Sequence, residues 1–175
     1  IESLFVAALA RDPDHPGANH YIVHLYESSR TPEKGVPSAD RLVDLVPGSG
    51  HLLHMPAHVY MRTGRLAEAT AANRRSIAAD VRYLAQVDAQ GAYHHHFLWA
   101  SAAMQGRSKE AIEAAGAAWP AACGPKPGDR STAILQHYYA LPLYARVRFG
   151  KWDELLTDTL PPDVAEPYPM AVWYY

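Results

Sequence analysis

Ten histidines fall within 175 residues, and their spacing is the part of this sequence able to do chemistry. His20 and His24 stand four apart, with Glu27 three further on; His51, His54 and His58 follow at i, i+3 and i+7. On a helix each set forms one stripe, because residues three and four apart share a face. The pair His20/His24 recurs as His54/His58 at an offset of 34 residues. Imidazoles at i, i+4 chelate one ion, and two such pairs on helices about 10 Å apart can share it. Imidazoles with a carboxylate and no thiolate suit Zn(II), Cu(II), Ni(II) or Fe(II), and argue against Cu(I) cages and iron–sulfur clusters. Unperturbed imidazoles titrate near pH ~6.5, so such an ion is expected to leave below about pH 6.

The elements that must position these side chains are helices. Alternating β-branched runs are nearly absent, while helical patterns recur between Pro/Gly breaks at Pro13–Gly17, Pro47–Gly50, Gly124–Gly128 and Pro161–Pro162. The segments predicted as helical are 18–29, 38–46, 52–63, 66–84, 92–105, 108–119, 131–149 and 152–158, with an apolar helical stretch at Ile1–Leu9. Pro56 interrupts the third, and if the helix begins only near residue 53–55, His51 falls in a loop and leaves the stripe. Tyr93–Phe97 holds three consecutive histidines that cannot all face one way; His96 with either His94 or His95 is the expected pairing. Gly91 leaves open that this run is a loop. His15, before Pro16, is expected at a helix entrance.

Gly64-Arg65-Leu66-Ala67-Glu68-Ala69, Gly106-Arg107-Ser108-Lys109-Glu110-Ala111 and Gly150-Lys151-Trp152-Asp153-Glu154-Leu155 share one pattern, at intervals of 42 and 44 residues. Each has a left-handed Gly cap, a basic residue, and an acidic residue in the first turn of the next helix. With the 34-residue histidine offset, this resembles the tetratricopeptide repeat family, whose helical hairpins stack into a right-handed superhelix. Residues 50–83 carry the resemblance best, with Ala57, Tyr60, Gly64 and Ala69 at its small, aromatic, turn and small positions. Asn73 stands where a bulky aromatic is usual, Val81 where Pro is usual, and Thr31–Lys34 is an insertion. His15–Ala18, His51–His58 and Phe149–Trp152 also look like a branch of long bacterial repeat proteins. The resemblance implies an all-α chain, a single α-solenoid segment of about four hairpins (18–46, 51–84, 92–120 and 131–158). The apolar ends suggest a piece of a longer protein, packed on flanking repeats. It further implies that first-helix positions line a concave groove. Aligning the turn glycines sets His96 level with His54 and His137 level with His51. The expected metal set is His20, His24, His54, His58 and His96, with Glu27, His51, His94, His137 and Tyr144 as further groove residues.

A net charge of −2 argues against nucleic acid or an anionic membrane surface as the main partner. No apolar run approaches the ~20 residues of a membrane span, which points to a soluble protein, cytoplasmic or periplasmic. A single cysteine, Cys123, excludes an intrachain disulfide; it is expected in a loop as an inert thiol. No His-Glu-x-x-His, phosphate loop or Gly-x-Ser-x-Gly elbow occurs. Two functions fit: a scaffold whose groove binds a peptide or protein, with or without a metal, and a metal-dependent hydrolase or oxygen-activating enzyme using the groove histidines.

Overall fold

The computed structural model describes residues 1–83, 91–123, 133–158 and 171–172. The breaks expected at Gly124–Gly128 and Pro161–Pro162, most of the apolar run to Tyr175, and the side chain of Cys123 lie outside the described residues. Within them the regular structure is helical throughout. The helices are α1 (Glu2–Arg11), α2 (Pro16–Glu27), α3 (Val36–Leu45), α4 (Gly50–His54), α5 (Pro56–Arg62), α6 (Leu66–Tyr83), α7 (Gly91–Met104), α8 (Ser108–Cys123), α9 (Ala133–Arg148) and α10 (Trp152–Thr157). Thr31–Lys34, expected as an insertion, falls largely in a 3-10 turn, Pro32–Gly35. No described helix is long and apolar enough to cross a membrane. The chain divides into two compact units, Ile1–Val87 and Asp88–Tyr175.

In the first unit, Val23 of α2, Ala39 and Leu42 of α3, Met55, Ala57, Val59 and Tyr60 around α5, and Ala69 and Ala72 of α6 form one core. Each fully buried Val, Leu or Met contributes about 1.5–3 kcal/mol, and the alanines let the helix backbones approach. Tyr60 and Arg65 fasten the edge of this core. The Tyr60 hydroxyl donates to Asp40 at 2.7 Å, Arg65 donates to Asp40 and Glu68 at 2.8 Å each, and its guanidinium lies 4.3 Å from the Tyr60 ring centroid. The second unit packs α8 between α7 and α9. Ala102, Ala103 and Ala111 form one cluster in it; Ala115, Ala118, Tyr138, Leu141 and Ala145 form another.

The repeated glycine motif has the same geometry each time. Gly64, Gly106 and Gly150 have φ of 76°, 73° and 64°, and the basic residue after each donates to the carbonyl five residues back. Those bonds, Arg65 to Tyr60, Arg107 to Ala102 and Lys151 to Arg146, measure 2.9, 3.0 and 2.9 Å. This closure stops a helix and starts its antiparallel partner.

Several boundaries differ from the expected ones, for local reasons. His15 caps α2, its Nδ1 accepting from the Ala18 N–H at 3.2 Å, so the helix starts earlier than residue 18. Pro56 splits 52–63 into α4 and α5 by removing one backbone donor, yet Met55 keeps right-handed helical dihedrals (φ −51°, ψ −40°). Ser49 caps α4 by accepting from Leu52 N–H, so His51 is helical rather than in a loop. Residues 91–104 are helical, which closes the loop alternative for His94–His96. α8 runs on through Pro120, so Cys123 ends a helix instead of lying in a loop.

Gly50 opens α4 against the Asp80 carboxylate of α6. A Cβ built there lies 1.8 Å from Asp80 Oδ1, so the close approach requires glycine. Gly50→Ala is expected to cost about 1–3 kcal/mol through that overlap, measured as a lower denaturation midpoint. Ala57 is completely buried; Ala57→Leu overpacks the same core by a similar ~1–3 kcal/mol. Unchanged thermal stability in Ala57→Leu contradicts this account of how α5 packs.

Candidate metal centre

Three helices, α2, α4 and α5, carry the histidines of the site in the first unit. Buried Asn19 fixes the start of α2: its Nδ2 donates to the Pro13 and His15 carbonyls at 2.9 and 3.1 Å. The other end is held by Arg62 of α5, whose guanidinium donates to the Glu27 carbonyl and, at 3.0 Å, to the Ser29 carbonyl. Those are orphan acceptors at a helix C-terminus, and a cation satisfies them well. The clasp holds the last turn of α2 beside α5, one turn from His58.

Glu27 then joins α2 to α5. His24 Nδ1 meets its Oε1 at 2.7 Å, and His58 Nδ1 meets its Oε2 in a hydrogen-bonded contact. Burial pushes the Glu27 carboxyl up, but hydrogen bonds from His58 and His24 outweigh it and hold the group below the usual carboxylate range. An ionised carboxylate only accepts, so both Nδ1 atoms donate; in each neutral ring the lone pair then sits on Nε2. A carboxylate behind an imidazole is the usual orienting partner of a metal-binding histidine.

His54 is oriented the same way from α6. The Asn73 amide donates to the Ala69 carbonyl at 3.0 Å, which turns its oxygen toward His54 Nδ1 at 2.8 Å. Both side chains are fully buried. Asn73 belongs to a buried polar stripe with Thr70, Ser76 and Asp80 along α6. Sequence reasoning had only one sign of it, a polar residue where the resemblance implies an aromatic one.

His20, His24 and His51 each offer a ring nitrogen, and the three atoms lie within 4.8 Å of one another. These three histidines lie close enough to bind a metal. His20 Nε2 and His51 Nε2 are 3.3 Å apart, and the His20 and His24 ring centroids 4.7 Å. Two nitrogens bound at ~2.05 Å to a tetrahedral ion stand about 3.3 Å apart. The His20 pKa is lowered to about 4, first by burial and then by neighbouring His24 and His51, so this imidazole is neutral at pH 7. Of the expected set, His54 and His58 face each other instead, Nε2 to Nε2 at 2.9 Å.

The remaining candidates lie in the second unit. His94 is buried at 1% exposure, and His96 stacks on Trp99 at 5.6 Å and meets His137 edge-on at 5.3 Å between centroids. Tyr144 tilts against His137 at 6.1 Å and packs on the Ala115–Leu141 cluster. Aromatic and apolar groups therefore surround His96, and no three ligand atoms among the described residues converge here as they do at His20. Burial first, and then His137, lower the His96 pKa to about 4; burial lowers His137 as well.

A histidine held at about 4 in the folded chain takes up its proton near ~6.5 when unfolded. The unfolded state thus binds more protons between those values, and stability falls as pH drops from about 6.5 toward 4. At roughly 1.4 kcal/mol per pH unit, His96 accounts for up to ~3 kcal/mol over that window. His96→Leu should flatten the acid limb of a melting-temperature profile; an unaltered slope contradicts the assignment. No protein-family model matches the chain, and no curated protein matches it.

Proposed function

We propose that this chain is a tetratricopeptide-like helical-repeat scaffold, an α-solenoid segment, whose first unit binds a divalent transition metal on His20, His24 and His51. The repeat reading is supported by three Gly closures of one geometry and by complete burial of Ala57 and Ala69, the family's small positions. The metal reading is carried by one observation: three imidazole nitrogens within 4.8 Å. Glu27 behind His24 adds the orientation and the negative charge that a dication favours.

Imidazole donors without thiolates suit Zn(II), Cu(II), Ni(II) or Fe(II). Three protein ligands leave a coordination position for water or for a group on a partner, the arrangement of catalytic rather than purely structural zinc. When bound, the ion supplies Lewis acidity at that position. The residues of this chain hold three lone pairs in place, keep His20 unprotonated at neutral pH, and fix the His24 tautomer through Glu27.

Thermal melting with and without Zn(II) tests this. A stabilising shift is expected at pH 7.5 and should vanish by pH 4, because only neutral imidazole coordinates and protons compete for the same lone pair. His20 at about 4 extends retention into acid further than an unperturbed imidazole would. His20→Gln should abolish most of the shift. A chain that melts identically with and without metal is not a metal scaffold, and a peptide-binding groove then becomes the better reading.

A further inference from the structure

We infer that His54 and His58 form a second metal position, separate from the His20/His24/His51 set. It extends the metal-binding reading but stands on different atoms. His54 Nδ1 donates to Asn73 Oδ1 at 2.8 Å, and His58 Nδ1 donates to Glu27 Oε2. Each neutral ring has one N–H, and here each spends it on Nδ1. Both Nε2 atoms therefore present lone pairs, and those two atoms face each other at 2.9 Å.

Two lone pairs at that distance repel unless a cation lies against both. A divalent ion removes that repulsion by bonding to both nitrogens. The separation suits an ion: two bonds of ~2.05 Å at a right angle place their nitrogens about 2.9 Å apart. His54 and His58 are also four apart across the Met55–Pro56 step, the spacing at which helical imidazoles chelate.

The surroundings are built for a cation. His54 is completely buried and His58 keeps 13% of its side-chain exposure, so His58 is the more open of the two. Glu27 supplies the negative charge, and its second oxygen reaches His24 of the first set. One carboxylate thus orients a ligand of each position. Asn73 is a positioning residue: it touches no metal and fixes the His54 tautomer.

Calorimetric titration of Zn(II) into the EDTA-stripped chain at pH 7.5 tests the second position. The wild type should take up about two equivalents, and His58→Gln about one. His20→Gln should weaken the first while keeping the second. Asn73→Leu should weaken the second at least tenfold and spare the first, as loss of an orienting partner does. If His58→Gln melts too low to titrate, Co(II) absorption of the wild type replaces it, with two saturating phases expected. One equivalent in the wild type, or two in a folded His58→Gln, overturns the second position and leaves the first. No uptake at all overturns both.

Discussion

The shared carboxylate of Glu27 is the interaction on which the histidine cluster depends. Imidazole is indifferent about which nitrogen carries its proton, and five of them side by side have many arrangements of donors and acceptors. Glu27 removes the choice for His24 and His58 together, and Asn73 removes it for His54. The carboxylate can do so because its backbone is fixed: Arg62 grips the carbonyls of Glu27 and Ser29, while Asn19 holds the opposite end of α2. A surface glutamate hydrogen-bonded to one histidine contributes little, since water competes at both ends. Partly buried between two rings, this one sets the direction of two lone pairs.

The two units use histidine in opposite ways. In the first, polar partners hold the rings, and buried amide, hydroxyl and carboxylate groups line α6 behind them. In the second, His96 lies among Trp99, Tyr138 and His137, and burial is the main cause of its low affinity for protons. Desolvation alone yields a neutral ring, which is a packing solution. Convergent lone pairs need oriented neighbours, and those occur around His24, His54 and His58.

Much of the helical framework was legible in the sequence, because its signals are local. Gly64, Gly106 and Gly150 each adopt the left-handed dihedral that their motif implies, and the basic residue after each closes the turn. The His15–Pro16 pair marked the entrance of α2, whereas the Ser49 cap of α4 does not follow from periodicity. The site was legible as a stripe but not as a partition. Spacing places His20 with His24 and His54 with His58. Which helices meet decides that His51 turns to His20 while His54 and His58 close on one another. Asn73 is 19 residues from His54, and its role depends on α4 packing on α6.

The Arg62 clasp also fixes how length changes in this region are felt. His58 and Arg62 lie on α5, one reaching the carboxylate of Glu27 and the other its carbonyl. They act as two teeth of a key cut at a spacing of four residues. One residue inserted between them turns Arg62 by about 100° and draws it some 1.5 Å along the axis, away from the end of α2. The same insertion in Ser28–Gly35 falls in a turn region that includes a 3-10 turn. Drift in chain length is thus absorbed between the helices and resisted within α5, so the register of one short helix guards the geometry of the centre.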